Sequence, residues 1–210
     1  MESIFVKQLG LGPMKNFAYL VGGAGDGECA VVDPGWDAAE ILAVARQEGR
    51  RIAAALLTHG HFDHAGGLKD LLRQGDIPVF AHPDDAKPFF TTIPDLRLLR
   101  DGEAASVGGI KLLCLHTPGH TPGSQCLLAG DQLFTGDTLF VDCCGRTDLE
   151  GSDPESMHRS LRRLAALPPQ TTVWPGHDYG PRPSAALGDI LKMNPFLAAA
   201  TLDEFLRLGA

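Results

Sequence analysis

The segment HGHFDH at residues 59–64 places four metal-binding side chains within six positions, directly after an apolar run that predicts a buried strand from Ile52 to Leu57. His59 and His61 are two residues apart, so in an extended segment both point to one side, whereas the following aspartate and histidine can face a second position. Desolvating such a cluster is costly unless its members are coordinated. The segment therefore predicts a site for one or two metal ions in a functional loop of an α/β fold.

Three more ligand-type residues follow later predicted strands, each in a glycine-rich turn: His120 in TPGHTPGS, Asp137 in FTGDTLF and His177 in WPGHDYG. One such residue alone is most often a turn former, but recurrence after three strands favours a shared site. Asp33, in VVDPG, also follows a strand, and forming a turn and orienting a ligand histidine are equally good interpretations. The other histidines lack such company and stay outside the predicted site: His82, His116 and His158.

Periodicity and turn residues predict a chain in which strands and helices are mixed throughout. The predicted strands run from Ile4 to Leu9, Phe17 to Val21, Cys29 to Val32, Ile52 to Leu57, Val79 to Ala81, Ile110 to His116, Gln125 to Leu128, Gln132 to Phe134 and Thr172 to Trp174. The predicted helices run from Ala38 to Glu48, from about Ala65 to Gln74, from a capping box of Ser152 with Glu155, and from a second box of Thr201 with Glu204. Since no linker-like segment divides the chain, we expect one α/β domain over residues 1–210.

Composition narrows the class of partner. A formal charge of −8, without long runs of one sign, repels nucleic acid and anionic membranes. The N-terminus MESIFVKQLG lacks a signal pattern, and the five cysteines, two of them adjacent, argue against a disulfide framework. We therefore expect a cytoplasmic protein that acts on a small molecule, with neither nucleic acid nor membrane as partner, and leave open a homodimer.

The HxHxDH motif, followed by a histidine, an aspartate and a histidine in that order, resembles the metallo-β-lactamase superfamily over nearly the whole chain. The resemblance implies a four-layer αββα sandwich with two divalent metal ions in a groove at one edge of two packed sheets. Zinc is the expected metal, and iron or manganese also suits histidine and carboxylate ligands. The implied ligands are His59, His61 and His120 for the first metal, Asp63, His64 and His177 for the second, and Asp137 as a bridge.

Within the superfamily, GDTLF and the segment SDPESMHRSLRRLAALPPQTTVWPGHDY resemble glyoxalase II, the hydroxyacylglutathione hydrolases. That resemblance implies cleavage of an anionic thioester by a metal-bridging hydroxide, with Asp63 and Asp137 as catalytic carboxylates. Arg146, in CCGRTDLEG, occupies the position of a glutathione-contacting lysine and keeps its charge. Tyr179 matches the tyrosine of the family's GHxY motif, so both residues are expected to bind substrate.

A second resemblance leads to a different reaction. CGRTD and the tail NPFLAAATLDEFLRL are similar to the persulfide dioxygenases, which oxidise glutathione persulfide with one iron held by two histidines and an aspartate. The matching residues here are His59, His120 and Asp137, and such a triad leaves positions open for dioxygen and a sulfur. Cys144 falls where those enzymes carry a cysteine near the substrate, although a small buried residue is an equally good interpretation. An exported β-lactamase, a nuclease or a non-catalytic binding module explains these residues less well.

Overall fold

The first of two β-sheets comes from the N-terminal half of the chain. The computed structural model describes residues 3–25, 27–86 and 92–209. The first six strands are β1 (Ile4–Leu11), β2 (Asn16–Gly23), β3 (Glu28–Val32), β4 (Arg51–Leu56), β5 (Val79–Ala81) and β6 (Leu96–Leu98). They lie side by side in this order; β1, β2 and β3 pair antiparallel, and β3 to β6 run parallel.

The C-terminal half forms the second sheet. Its strands are β7 (Ala104–Val107), β8 (Ile110–His116), β9 (Gln125–Ala129), β10 (Gln132–Gly136), β11 (Thr172–Pro175) and β12 (Ala185–Ala186). In space they follow the order β12-β11-β10-β9-β8-β7, and every neighbouring pair is antiparallel except β10 with β11. A parallel pair needs a crossover connection, and a helix in that connection packs on the outside of the sheet.

Helices cover the outer faces of both sheets. They are α1 (Ala38–Gln47), α2 (Phe62–Ala65), α3 (Leu68–Leu72), α4 (Pro154–Ala165), α5 (Leu187–Met193), α6 (Pro195–Ala198) and α7 (Leu202–Leu208). Ile41 of α1 and Leu68 of α3 join the core on the first sheet, whereas Met157 and Leu161 of α4, the crossover helix, join the core on the second. No helix formed by the described residues combines the length and the apolar character needed to cross a bilayer.

Strand β2 shows how four layers arise from one sequence pattern. Ala18 and Leu20 face the core under the N-terminal helices, while Tyr19 and Val21 face the core between the two sheets. Both faces of the strand are therefore buried, as in a sheet covered on each side. In the central core the Tyr19 ring packs against Phe134 of the second sheet, with 5.1 Å between ring centroids. The layers run helix, sheet, sheet, helix, and the predicted αββα sandwich is confirmed.

The helix predicted from about Ala65 to Gln74 is shortened to α3, because a glycine pair separates Ala65, the last residue of α2, from Leu68. A Cβ atom on Gly67 would lie 2.5 Å from the carbonyl oxygen of Pro34, so the loop after β3 approaches too closely for any side chain. Gly66 faces a similar limit from the carbonyl oxygen of Phe62, also 2.5 Å away. The single continuous helix was therefore a wrong prediction, because tertiary contact rather than periodicity sets the break.

Two capping predictions had different outcomes. The box of Thr201 with Glu204 is present at the start of α7 and is confirmed. The box of Ser152 with Glu155 is wrong, because Asp153 caps α4 by accepting from the backbone N–H groups of Glu155 and Ser156. Periodicity also failed to predict three short strands, β6, β7 and β12, and two helices, α5 and α6.

Candidate metal centre

All seven predicted ligands meet at the edge where strand ends of the two sheets come together. The first sheet contributes the loop after β4 and helix α2, and the second contributes the turns after β8, β10 and β11. His61 is the N-cap of α2 and is still extended, with φ −65° and ψ 148°, whereas the next residues are helical. This change from extended to helical backbone divides the motif into two groups of side chains that face different positions.

The first group consists of His59, His61 and His120. Nε2 of His120 lies 3.0 Å from Nδ1 of His61, and the ring of His59 lies 4.8 Å from that of His61 and 5.0 Å from that of His120 between centroids. One ring nitrogen from each histidine falls within 4.8 Å of the other two. These three imidazoles can therefore converge on one ion.

The second group consists of Asp63, His64 and His177, all of them buried. Nε2 of His64 lies 3.2 Å from Nε2 of His177 and 3.5 Å from Oδ2 of Asp63. The same carboxylate oxygen lies 3.4 Å from Nε2 of His177. Ligands bound about 2.1 Å from a shared tetrahedral ion are roughly 3.4 Å apart, so this group has the spacing of a metal site.

Asp137 lies between the two groups. Its Oδ2 is 3.5 Å from Nε2 of His120 and 3.3 Å from Nε2 of His177. Its Oδ1 is 3.4 Å from Nε2 of His64. One carboxylate thus contacts a histidine of the first group and two of the second, which is the arrangement a bridging ligand requires.

Two buried atoms of the centre point to cations. Among the described residues, Nε2 of His59 and Oδ1 of Asp137 have no hydrogen-bond partner. Leaving a buried polar atom unpaired costs about 1–3 kcal/mol, and more when the group is charged. A metal ion accepts both an imidazole lone pair and a carboxylate oxygen, so these residues fit the metals that the resemblance implies.

Hydrogen bonds behind the histidines set their tautomers. A histidine that donates through Nδ1 presents the lone pair of Nε2, the form in which it binds a metal. The Thr58 hydroxyl donates to Asp33 and therefore accepts from His59. Four histidines donate through Nδ1. His59 donates to Thr58 Oγ1 at 3.1 Å, and His64 donates to Asp33 Oδ2 at 3.0 Å. His120 donates to the carbonyl of Arg146 and His177 to that of Met14, each at 2.9 Å. In the neutral form of each of these four rings, the lone pair is therefore on Nε2, which faces the centre.

The electrostatics of the centre favour positive charge. Burial lowers the pKa of His59 well below its usual value. Burial also opposes protonation of His64, but the charge of Asp137 and the hydrogen bond to Asp33 outweigh it and raise that pKa to about 9. Burial would raise the pKa of Asp137, yet the surrounding histidines hold it far below its usual range. The carboxylate stays ionised, and a bound cation would compensate its charge.

Asp33 lies directly behind His64. It accepts hydrogen bonds from the backbone N–H of Thr58 at 2.7 Å, from the Thr58 hydroxyl at 2.6 Å and from Nδ1 of His64. Its backbone has φ 51°, the left-handed conformation that aspartate tolerates in turns. Asp33 therefore forms the turn and contacts His64, and its role in orienting a metal ligand stays a prediction.

The two expected substrate contacts lie beside different histidines, Arg146 beside His120 and Tyr179 beside His177. The Arg146 side chain is exposed and pairs with Asp148 through two contacts of 2.9 Å, while its carbonyl holds His120. Tyr179 is half exposed and its ring stacks on His177, with 4.5 Å between centroids. Asp148 was not anticipated, although its place two residues after Arg146 offered a signal.

Sequence reasoning also missed residues that brace the loops. Asp85 accepts from the backbone N–H of Gly60 at 2.9 Å, from that of Gly123 at 2.7 Å and from the hydroxyl of Thr121 at 2.6 Å, so it ties the motif loop to the His120 loop. Asn16 contacts Asp63. Neither residue carries a motif, and both resemble ordinary turn residues in the sequence.

Two of the excluded histidines, His82 and His116, form a stacked pair. Their rings are 3.9 Å apart with an angle of 9° between planes. Lone pairs in two parallel planes do not converge, so the pair lacks the geometry of a metal site although Asp84 lies nearby. Nε2 of His116 lies 2.9 Å from the carbonyl oxygen of Pro122, and this hydrogen bond braces the turn that carries His120.

Comparison with known proteins shows the family of this chain. The sequence pattern of the metallo-beta-lactamase superfamily matches residues 11–177. The probable polyketide biosynthesis zinc-dependent hydrolase BaeB of Bacillus velezensis is 31% identical over 191 residues, which are 90% of this chain and 85% of that protein. The hydroxyacylglutathione hydrolase of Alkalilimnicola ehrlichii is 42% identical over 152 residues, 71% of this chain and 56% of the hydrolase. The match thus spans little more than half of that hydrolase.

Solved structures lead to the same family. ETHE1 from Myxococcus xanthus superposes with a TM-score of 0.87 at 29% identity, over 97% of this chain and 89% of that one. TTHA1623 in a di-iron-bound form superposes with a TM-score of 0.76 at 37% identity, over 91% of this chain and all of that one. With the fold, the seven converging ligand-type residues and these relatives in agreement, the chain belongs to the metallo-β-lactamase superfamily.

Proposed function

We propose that this protein is a dinuclear metallohydrolase that cleaves a thioester such as a hydroxyacylglutathione. In this proposal the first group would hold one divalent cation, the second group would hold another, and Asp137 would serve both. The observation that carries the proposal is the placement of the Asp137 carboxylate, whose oxygens lie 3.3–3.5 Å from histidines of both groups. A carboxylate placed between two complete groups is the arrangement that two cations with a shared ligand require.

The residues of the chain prepare the centre for hydrolysis. When bound, a pair of divalent cations polarises a carbonyl and lowers the pKa of water enough to give a nucleophile near neutral pH. Asp63 is held by Asn16 with one carboxylate oxygen toward His64 and His177, so it can orient the attacking water. Asp63, His64 and His177 are buried. They therefore act on the reacting groups with little screening by solvent.

The mouth of the centre suits an anionic substrate. Arg146 offers a guanidinium with the fork geometry that carboxylates accept, and a substrate carboxylate would replace Asp148 as its partner. Tyr179 lies across the centre on the ring of His177, where its hydroxyl can donate to the same ligand. The similarity to hydroxyacylglutathione hydrolases supports a glutathione thioester.

Metal identity and location belong to the proposal as well. The similarity to BaeB, a zinc-dependent hydrolase, supports zinc, and the di-iron-bound TTHA1623 supports iron. All five cysteines are free thiols, as in a reducing compartment, which supports the cytoplasm.

A persulfide dioxygenase is the second candidate, supported by the superposition with ETHE1. It would use one iron at His59, His120 and Asp137. Cys144, the expected cysteine near its substrate, is buried in the core under α4, and burial raises the pKa of its thiol to about 12. A buried, protonated thiol fits the interpretation of Cys144 as a small core residue. Cys144 therefore gives the dioxygenase no support.

Metal analysis and two assays test the choice. We expect close to two ions per chain in protein purified without chelators, and release of glutathione from S-lactoylglutathione. One iron per chain, with oxygen uptake on glutathione persulfide and no thioester hydrolysis, would replace the hydrolase with the dioxygenase.

A further inference from the structure

We infer that Asn16, the first residue of β2, is a positioning residue that controls occupancy of the second cation position separately from the first. The inference rests on the two-cation centre proposed above and goes beyond it by assigning a residue that lies outside the ligand set. Its starting point is a buried amide whose hydrogen bonds converge on one ligand.

Every polar atom of the Asn16 side chain is engaged. Asn16 is 3% exposed, and its Nδ2 donates to Oδ2 of Asp63 at 3.0 Å and to the backbone carbonyl of Asp63 at 3.1 Å. Its Oδ1 accepts from Nε1 of Trp36 at 2.8 Å. Because the indole can only donate, it fixes which end of the amide faces Asp63.

The oxygen that Asn16 holds is the one that faces the second position. Oδ2 of Asp63 lies 3.5 Å from Nε2 of His64 and 3.4 Å from Nε2 of His177. Without the amide donor, the carboxylate can rotate about its side-chain bonds and the backbone at the start of α2 loses a tether. The amide thus keeps a ligand atom in place before any ion arrives.

The same turn also holds the other end of the second group. Met14 accepts from Nδ1 of His177 at 2.9 Å, and Lys15 accepts from the backbone N–H of Asp178 at 2.8 Å. Asn16 forms a backbone bridge with His177. Asp63 and His177 therefore depend on one short turn of the first sheet, although they are far apart in the sequence.

The first group is braced by other segments. His59 donates to Thr58, and His120 donates to the carbonyl of Arg146. Asp85 ties the loops that carry these two histidines. Since none of these contacts of the first group involves Asn16, a change at Asn16 acts on one position and leaves the other in place.

Calorimetric titration of the full chain tests the inference. The protein is stripped of metal with a chelator, and Zn²⁺ is titrated into it. We expect two binding events for the wild type. In Asn16→Ala the weaker support of Asp63 lowers the affinity of one event by about 10- to 100-fold, as for other residues behind a metal ligand, and the other event stays within about threefold.

Two further variants keep the test decisive. Trp36→Phe retains the ring but removes the donor that orients the amide, so it should weaken the same event by a few fold, and it serves if Asn16→Ala fails to fold. Asn194→Ala is the matched control, since Asn194 is equally buried and makes three hydrogen bonds, to Phe140, Cys143 and Leu197. It should retain both events.

The outcomes separate the inference from the proposed function. Selective loss of one event in Asn16→Ala, or selective weakening in Trp36→Phe, supports the inference. Unchanged affinities in both variants, or equal loss of both events, would overturn it while the wild type still takes up two ions. A wild type that binds a single ion would overturn the two-cation centre, and the inference with it.

Discussion

The two groups of the centre differ in charge and in what holds them. The first has three imidazoles, one of them on the partly exposed His61, and its braces are a hydroxyl and a backbone carbonyl. The second has a carboxylate, Asp63, and a histidine backed by a second carboxylate, Asp33. One six-residue motif thus supplies two electrostatically different positions, because the backbone turns from extended to helical in its middle.

The largest effect is expected where the groups meet. Asp137→Ala removes the carboxylate that both share, so we expect thioester hydrolysis to fall by roughly 10³-fold and metal content to fall below two per chain. Steady-state kinetics and elemental analysis measure the two effects. Asp76→Ala, at an exposed loop aspartate, is the control. Full turnover with full metal in Asp137→Ala would show that the arrangement proposed for the centre is wrong.

Removing one histidine from each group tests whether the two groups hold separate ions. We expect His120→Ala and His177→Ala each to lose about one ion per chain and at least about 10²-fold of hydrolysis, because each removes a ligand from a different position. Metal analysis alongside the hydrolysis assay measures this. The dioxygenase alternative makes the opposite prediction for His177→Ala, which would then keep its iron and its oxygen uptake.

Smaller effects are expected at the mouth beside the first group. Arg146→Ala should raise KM about tenfold with little change in kcat, because it removes a substrate contact and leaves the nucleophile intact. Asp148→Asn should lower KM by two- to threefold, since it frees the guanidinium from an exposed pair of modest strength. The same kinetic assay reads both. Loss of turnover at constant KM in Arg146→Ala would exclude a binding role.

The smallest effect is expected on the pH dependence of stability, from His82, which belongs to neither group. Burial lowers the pKa of His82, the charge of His116 lowers it further, and Asp84 and Asp85 oppose both. The unfolded chain therefore gains this proton near pH 6.5 and the folded chain only at lower pH, so stability is lost as pH falls below about 6.5. Urea unfolding of metal-loaded His82→Gln should show a smaller loss between pH 7.5 and 5.5 than the wild type. An identical loss would contradict the buried, neutral state of His82.

Much of the fold, and the set of residues that the fold brings together at the candidate site, could be predicted because both depend on local pattern. The strand ends are marked by apolar runs, and the ligand-type residues follow them in glycine-rich turns. The cap of α4 was also within reach, because Pro154 in the first helical position already implies Asp153 as N-cap. The roles of Asn16 and Asp85 could not be predicted, because their partners lie far away in the sequence. Asn16 and Asp63, for example, are 47 residues apart.

The placement of the centre across both sheets has a consequence for the lifetime of the protein. His61 and His120 are 59 residues apart, and His64 and His177 are 113 apart. An ion held by either pair is a removable cross-link that closes a long loop, and long loops are costly to close without one. Ions that bind the folded chain would also shift the folding equilibrium toward it. When metal is scarce, the protein would then lose its activity, and it would also unfold and be degraded by proteases.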